Sequence, residues 1–209
     1  MANNQGHNAN ENGANFEELI NKIMSHKIKK NYQIRNEELN KSQTNIVYRE
    51  FWKNDKLYCV YCKQEGFEHN FLPKYDITSG SNKEPDGFFY YPDKNLAIIL
   101  EIKKQGSPGS VKEKLGNSTF LRDYQYKRIL KGLNCKIDMV YALDEWFRLN
   151  LEEDYFNNWD DHKIAYHFGI DFPLVLVGLE ESVKTSPEEI KKIKDDLETD
   201  YDEPIVELF

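Results

Sequence analysis

Two carboxylates and an ammonium bracket a pair of apolar runs near the middle of the chain. They are Asp86, Glu101 and Lys103, in E-P-D-G-F-F-Y-Y-P-D-K-N-L-A-I-I-L-E-I-K-K-Q-G from Glu84 to Gly106. Paired carboxylate oxygens are hard donors that suit Mg²⁺. An ammonium beside them suits an anionic transition state. That chemistry needs the three groups within a few ångströms of one another, so the elements around them must supply the proximity.

A β-hairpin does this. Gly87 to Tyr91 reads as one strand and Leu96 to Lys104 as the next, with the turn residues Pro92-Asp93-Lys94-Asn95 between them. Counting back from the turn pairs Tyr91 with Leu96, Phe89 with Ile98 and Gly87 with Leu100, and puts Asp86 opposite Glu101. Directly opposed Cβ atoms lie about 4.5–5.5 Å apart. Alternation then turns Glu101, Lys103 and Gln105 to one face and Leu100, Ile102 and Lys104 to the other. The two carboxylates repel, and a bridging divalent cation removes the repulsion. The backbone carbonyl of Ile102 is a candidate third ligand, and Gln105 a candidate hydrogen-bond donor behind the ligands. The second Pro-Asp, Pro92-Asp93, sits in the turn at the far end of the hairpin, out of reach of Glu101 at about 3.3 Å per strand residue. Asp86 is therefore the expected partner.

Pro85-Asp86 followed by Glu101-Ile102-Lys103 at the end of the next strand resembles the PD-(D/E)XK nuclease superfamily. The tail Glu101-Ile102-Lys103-Lys104-Gln105-Gly106 is most similar to type II restriction endonucleases, as is Gly109-Ser-Val-Lys-Glu-Lys-Leu115. The resemblance spans about Asn15 to Val177, and its specific part is short. It implies a restriction-endonuclease-like core and Mg²⁺-dependent hydrolysis of double-stranded DNA that leaves 5′-phosphates. Asp86, Glu101 and Lys103 would be catalytic, with Asp86, Glu101 and the Ile102 carbonyl on the metal. One active site per small chain, and two strands of a palindrome to cut, imply a homodimer.

Phe16, Leu19, Ile20, Ile23 and Met24 recur at helical spacing, with Asn15 and Glu18 as a capping box. Glu17 falls beside the apolar stripe. It has two readings: a carboxylate meeting the helix dipole, or, by resemblance to the first helix of restriction enzymes, a residue bordering the active site. After the hairpin, Gln105-Gly-Ser-Pro-Gly-Ser110 breaks the strand. Gly116 to Thr119 then opens a helix from about Phe120 to Lys131 that carries Arg122, Lys127 and Arg128. From Lys103 to Lys136 nine Lys/Arg face only Glu113 and Asp123, so a positive field starts at the candidate site. Lys104, Lys127 and Arg128 are expected to hold phosphates. Asn117 and Arg122 are expected to read base edges, partly by similarity to restriction enzymes with a Gly-Asn followed by Arg.

The chain as a whole is acidic, with a net charge of −8, and eleven Asp/Glu oppose four Lys from Glu180 onward. No apolar run reaches the ~18–20 residues of a membrane span. No signal peptide is apparent at the polar start. Three cysteines point to a reducing, cytoplasmic compartment. Cys59 and Cys62 form a C-x-x-C, but a strand would turn them to opposite faces, which favours buried thiols over zinc. No G-x-S-x-G, P-loop or H-E-x-x-H occurs.

Residues 1–14, rich in Asn, Gly and Gln, read as a disordered tail, and 15–209 as a single nuclease domain. Lys27 to Ser42 reads as a helix extension or a loop. Ile46 to Phe51, Leu57 to Lys63 and Ile137 to Leu143 read as strands, and Pro173 to Leu179 as a central apolar one. Asp144 to His167 is aromatic, with helical character and a candidate dimer face. Ser186-Pro-Glu-Glu189 is a capping box opening a last helix. The order implies an α/β fold with a central mixed sheet flanked by helices. Two other functions fit these residues: a structure-directed or repair nuclease of the same chemistry, and a nucleic-acid-binding module without catalysis.

Overall fold

The structure, a computed structural model, describes residues 4–29, 31–39, 46–78, 83–105, 115–180 and 186–201. Its centre is a seven-stranded sheet in sequential order. The strands are β1 (Gln33–Leu39), β2 (Ile46–Lys53), β3 (Lys56–Cys62), β4 (Gly87–Tyr91), β5 (Leu96–Lys103), β6 (Lys136–Leu143) and β7 (Ala165–Phe168). β1 to β5 pair antiparallel, whereas β5, β6 and β7 are parallel. The fold is α/β with a mixed sheet and helices on both faces.

All five residues of β4 are buried, and β5 is buried from Ala97 to Ile102. Sheets covered on both faces need such continuous apolar runs. One face carries Val60, Phe88, Tyr90, Ile99 and Tyr141. It packs under the helical run 118–133, which crosses over between β5 and β6, and under Phe147 and Trp159 of helices Glu145–Asn150 and Glu153–Asp161. The other face carries Tyr61, Phe89, Ile98, Leu100 and Ile102. It packs against Phe16, Ile20, Met24 and Ile28 of α1 (Asn4–Lys29).

Several elements depart from the sequence expectation. α1 starts at Asn4, so most of the expected disordered tail is helical, and Asn15 is an interior residue rather than a cap. Once Phe16 to Ile28 are packed, each further N-terminal residue adds a hydrogen bond without a new nucleation cost. β1 occupies Gln33–Leu39, where a helix extension or loop was expected. It is an edge strand, polar and interrupted by a register shift between Arg35 and Glu38, which hides its alternation. Pro173 to Leu179 is not a central strand. Leu174–Val177 is a 3₁₀ turn ended by Gly178 at φ 79°, with Leu174, Val177 and Leu179 buried against the second face. Short apolar runs do not distinguish strand from helix by period. The edge beyond β6 is β7 instead.

The aromatic residues of 144–168 pack on one another and on the first face, with Phe147 and Trp159 buried and Trp146, Tyr155, Phe156, Tyr166 and Phe168 half-buried. Tyr141 stacks on Trp159 at 5.0 Å, Phe156 and Tyr166 pack on Trp159, and Phe168 packs on Phe156 and Tyr166. Cys59 and Cys62 are buried in the two different core clusters, on opposite faces, and burial raises both thiols. The Ser186 capping box forms as expected: Ser186 N–H donates to Glu189 Oε2 at 2.8 Å, and Glu189 N–H to Ser186 Oγ at 3.2 Å. No helix among the described residues is long and apolar enough to cross a membrane.

Candidate active site

The motif hairpin forms in the expected register, with Gly87 opposite Leu100, Phe89 opposite Ile98 and Tyr91 opposite Leu96. Its turn is a 3₁₀ segment, Pro92–Lys94, closed by Asn95 at φ 46°. Asparagine tolerates that left-handed geometry better than most residues. Beyond the last pair, Asp86 turns back onto β5: its Oδ2 accepts from Ile102 N–H at 2.8 Å and from Lys103 Nζ at 2.5 Å. Lys103 Nζ also lies 2.8 Å from Glu101 Oε2. Asp86, Glu101 and Lys103 thus converge at the open end of the hairpin. The rival Asp93 pairs with Lys56 at the other end, at 2.5 Å.

Glu101 is only 2% exposed. A buried carboxylate requires donors, and it has them: Tyr126 Oη donates to Oε1 at 3.2 Å, and Lys83 Nζ stands 3.9 Å away. The Lys103 ammonium is pulled down by burial, but the Glu101 and Asp86 charges outweigh that and raise it overall. It is a cation at neutral pH. Burial raises the Tyr141 hydroxyl, with Glu101 and Asp86 adding to the effect.

Glu17 reaches the border of this group from α1. Its Oε1 lies 3.2 Å from Lys63 Nζ and 3.4 Å from Gln64 Nε2. Burial raises its carboxyl; Lys63 opposes this, and the Asp86 charge adds to it. Gln64 in turn is tied by its N–H to the carbonyl of Pro85 at 3.0 Å. Gly66 makes this loop possible: a Cβ there would lie 1.9 Å from the Val47 carbonyl oxygen. Gln105 is held through its backbone, whose N–H donates to Asp144 Oδ2 at 3.1 Å, while Asp144 N–H donates to the Lys103 carbonyl at 3.1 Å. Asp144 therefore fixes the end of β5.

The expected DNA-contacting residues divide. Lys104, Asn117, Lys127 and Arg128 are exposed. Arg122 is not presented as a reader of base edges. Its Nε and Nη2 meet Asp123 at 2.8 Å each, and its Nη1 donates to the His162 carbonyl at 2.7 Å. The neighbouring Asp123 carboxylate is the stronger local partner. The strand-breaking segment after Gln105 and the Gly109 to Lys114 stretch lie outside the described residues.

Sequence reasoning missed Tyr126, Lys83, Lys63 and Asp144. Tyr126 and Asp144 come from elements far along the chain, and no spacing rule connects them to Glu101 or Lys103. The one signal available was the polar side chain in an otherwise apolar inner helix face at Tyr126.

Two carboxylates, one of them buried, fit Mg²⁺, which keeps several waters and takes its remaining ligands from substrate phosphates. Among the described residues no group of three or more His, Cys, Asp or Glu is placed to hold a metal. Comparison with protein-family models, with curated proteins and with solved structures returned no match.

Proposed function

We propose that this protein is a Mg²⁺-dependent endonuclease of the type II restriction class, hydrolysing phosphodiesters of double-stranded DNA on a restriction-endonuclease-like core. The observation that carries the proposal is Lys103 Nζ at 2.5 Å from Asp86 and 2.8 Å from Glu101. Asp86 and Glu101 would hold the ion, with the Ile102 carbonyl as a further donor. When bound there, such an ion would polarise the scissile phosphate and lower the pKa of a water. Lys103, already cationic, stabilises the charge that develops on the phosphoryl oxygens. Glu17 and Asp144 position the loop and strand end around them. Tyr126 orients Glu101. Lys104, Lys127 and Arg128 supply phosphate contacts, products carry 5′-phosphates, and a homodimer cuts both strands.

A second proposal keeps the chemistry and replaces the sequence-specific target with a structural one. The internal engagement of Arg122 favours it, because that guanidinium is not offered to base edges. One experiment addresses both: unmethylated phage DNA with Mg²⁺, wild type beside Lys103→Ala and Asp86→Ala. Discrete bands from wild type alone support the restriction class, and a smear supports the structural target. The variants should fall at least ~100-fold, the usual cost of losing a preorganised electrostatic group. No cleavage under any condition, with DNA binding retained, would leave a non-catalytic binding module.

A further inference from the structure

We propose that the outer face of the crossover helix stacks the base of an unpaired nucleotide in the DNA being cleaved. This rests on the nuclease proposal in its second form, with a structural target, and names a substrate feature for it. Five large apolar side chains are exposed among the described residues: Leu39, Phe120, Tyr124, Leu149 and Val175. The two aromatic ones stand together. Phe120 is 50% and Tyr124 59% exposed, and their rings lie stacked at 5.1 Å and 17°. They lie at or within a π-wound segment, Leu121–Tyr126. π-turns are rare and collect at functional sites.

The occupant follows from chemistry and charge. Exposed Lys127, Arg128 and Lys131 follow the rings on the same helix. Protein interfaces deplete lysine, whereas flat rings flanked by cations are how single-stranded nucleic acid is held. Bases of an intact duplex keep their faces stacked inside it, so only an unpaired or displaced base can use this surface. Its distance from the chemistry is set by Tyr126, which points inward from the same segment to Glu101 at 3.2 Å. One helix diameter, ~10–12 Å, separates the two sides, or about three nucleotides at ~3.4 Å each.

The test uses the full chain in EDTA, so nothing is cut, and a short duplex with one unpaired 2-aminopurine beside the same duplex fully paired. Wild type should bind the unpaired form about 5- to 150-fold tighter and quench the 2-aminopurine. Phe120→Leu and Tyr124→Leu keep apolar bulk but lose the ring face. They should lose that preference and the quenching while keeping wild-type affinity for the paired duplex. The proposal is overturned if wild type shows no preference, or if the leucine variants retain it. It is also overturned if those variants turn a sedimenting dimer into a monomer, which would make the rings a subunit contact. Cleavage with Mg²⁺ is measured in parallel. Cleavage without a base preference leaves the nuclease and removes the platform; preference without cleavage does the reverse.

Discussion

Replacing Lys103 with methionine keeps most of the apolar stem and removes the ammonium, with its charge and its N–H donors. Its ammonium makes contacts of 2.5 Å and 2.8 Å to Asp86 and Glu101. At an effective dielectric of ~20 each is worth about 6 kcal/mol of Coulomb energy. Most of that is offset by the desolvation of the three groups. Removing one partner of a buried charge pair still costs about 3–5 kcal/mol, because the remaining charge is stranded. The side chains of Lys103 and Asp86 are 22% and 19% exposed, and that of Glu101 3%. Partial exposure puts the expected loss at the lower end, about 3 kcal/mol. Urea unfolding in EDTA at pH 7.5 measures it. Adding Mg²⁺ should then separate the two proteins. In the wild type an ion entering between the carboxylates competes with the ammonium; in Lys103→Met it does not. The variant should therefore gain more stability from Mg²⁺ than the wild type, by about 1.4 kcal/mol for each tenfold tightening, while cleavage is lost. Equal stability in EDTA together with an equal Mg²⁺ gain would refute the coupling of these three side chains.

Tyr126→Phe removes the donor to buried Glu101 and should cost about 1.5–3 kcal/mol of stability and about 10- to 100-fold in cleavage; unchanged urea midpoint and rate would show that Glu101 does not depend on it. Gly66→Ala drives a Cβ onto the Val47 carbonyl and should lower stability by about 1–3 kcal/mol, which thermal unfolding reads directly. Glu17→Gln tests the raised carboxyl of Glu17. The folded chain holds that proton to higher pH than the unfolded chain, whose value is about 4.3. Wild-type stability therefore falls as pH climbs through the folded value, with the penalty fully present above it. The wild type should lose stability relative to the variant as pH rises above about 4.3, and a gap that stays constant in urea midpoints from there to neutral pH would refute it.

The hairpin was legible because its information is local. Turn residues fixed the register from Tyr91–Leu96 to Gly87–Leu100, and alternation then fixed the face of Glu101 and Lys103. The final capping box was legible for the same reason, since Ser186 and Glu189 satisfy each other within one turn. What stayed hidden depends on tertiary placement. β1 is polar because it is an edge strand, so nothing apolar announces it. Leu174–Val177 is apolar because it packs on the second face, and burial in a 3₁₀ turn needs the same residues as burial in a strand. Arg122 looked like a reader of bases by its type, yet Asp123 and the His162 carbonyl hold it. A side chain's type gives its capacity; only its neighbours decide whether that capacity is available.

The location of the site follows from the change of strand direction at β5. Ligands in open α/β sheets bind beyond the carboxyl ends of parallel strands, where the winding changes. Here β5 is antiparallel to β4 on one side and parallel to β6 on the other. The antiparallel pairing brings the start of β4, and so Asp86, beside the end of β5. The parallel pairing sends the chain back across the sheet through the run 118–133, which places Tyr126 over Glu101. It also sets the end of β6 beside that of β5, where Asp144 ties the Lys103 carbonyl and Gln105 N–H. An all-antiparallel meander would supply Asp86 without the crossover helix. An all-parallel sheet would supply the helix but carry the start of β4 to the far end. Because the side-chain period in a strand is two, a one-residue slip between β4 and β5 would turn Asp86 away from Glu101. The buried Phe88, Phe89, Tyr90 and Tyr91, which pack in both cores, are therefore what hold the charged group together.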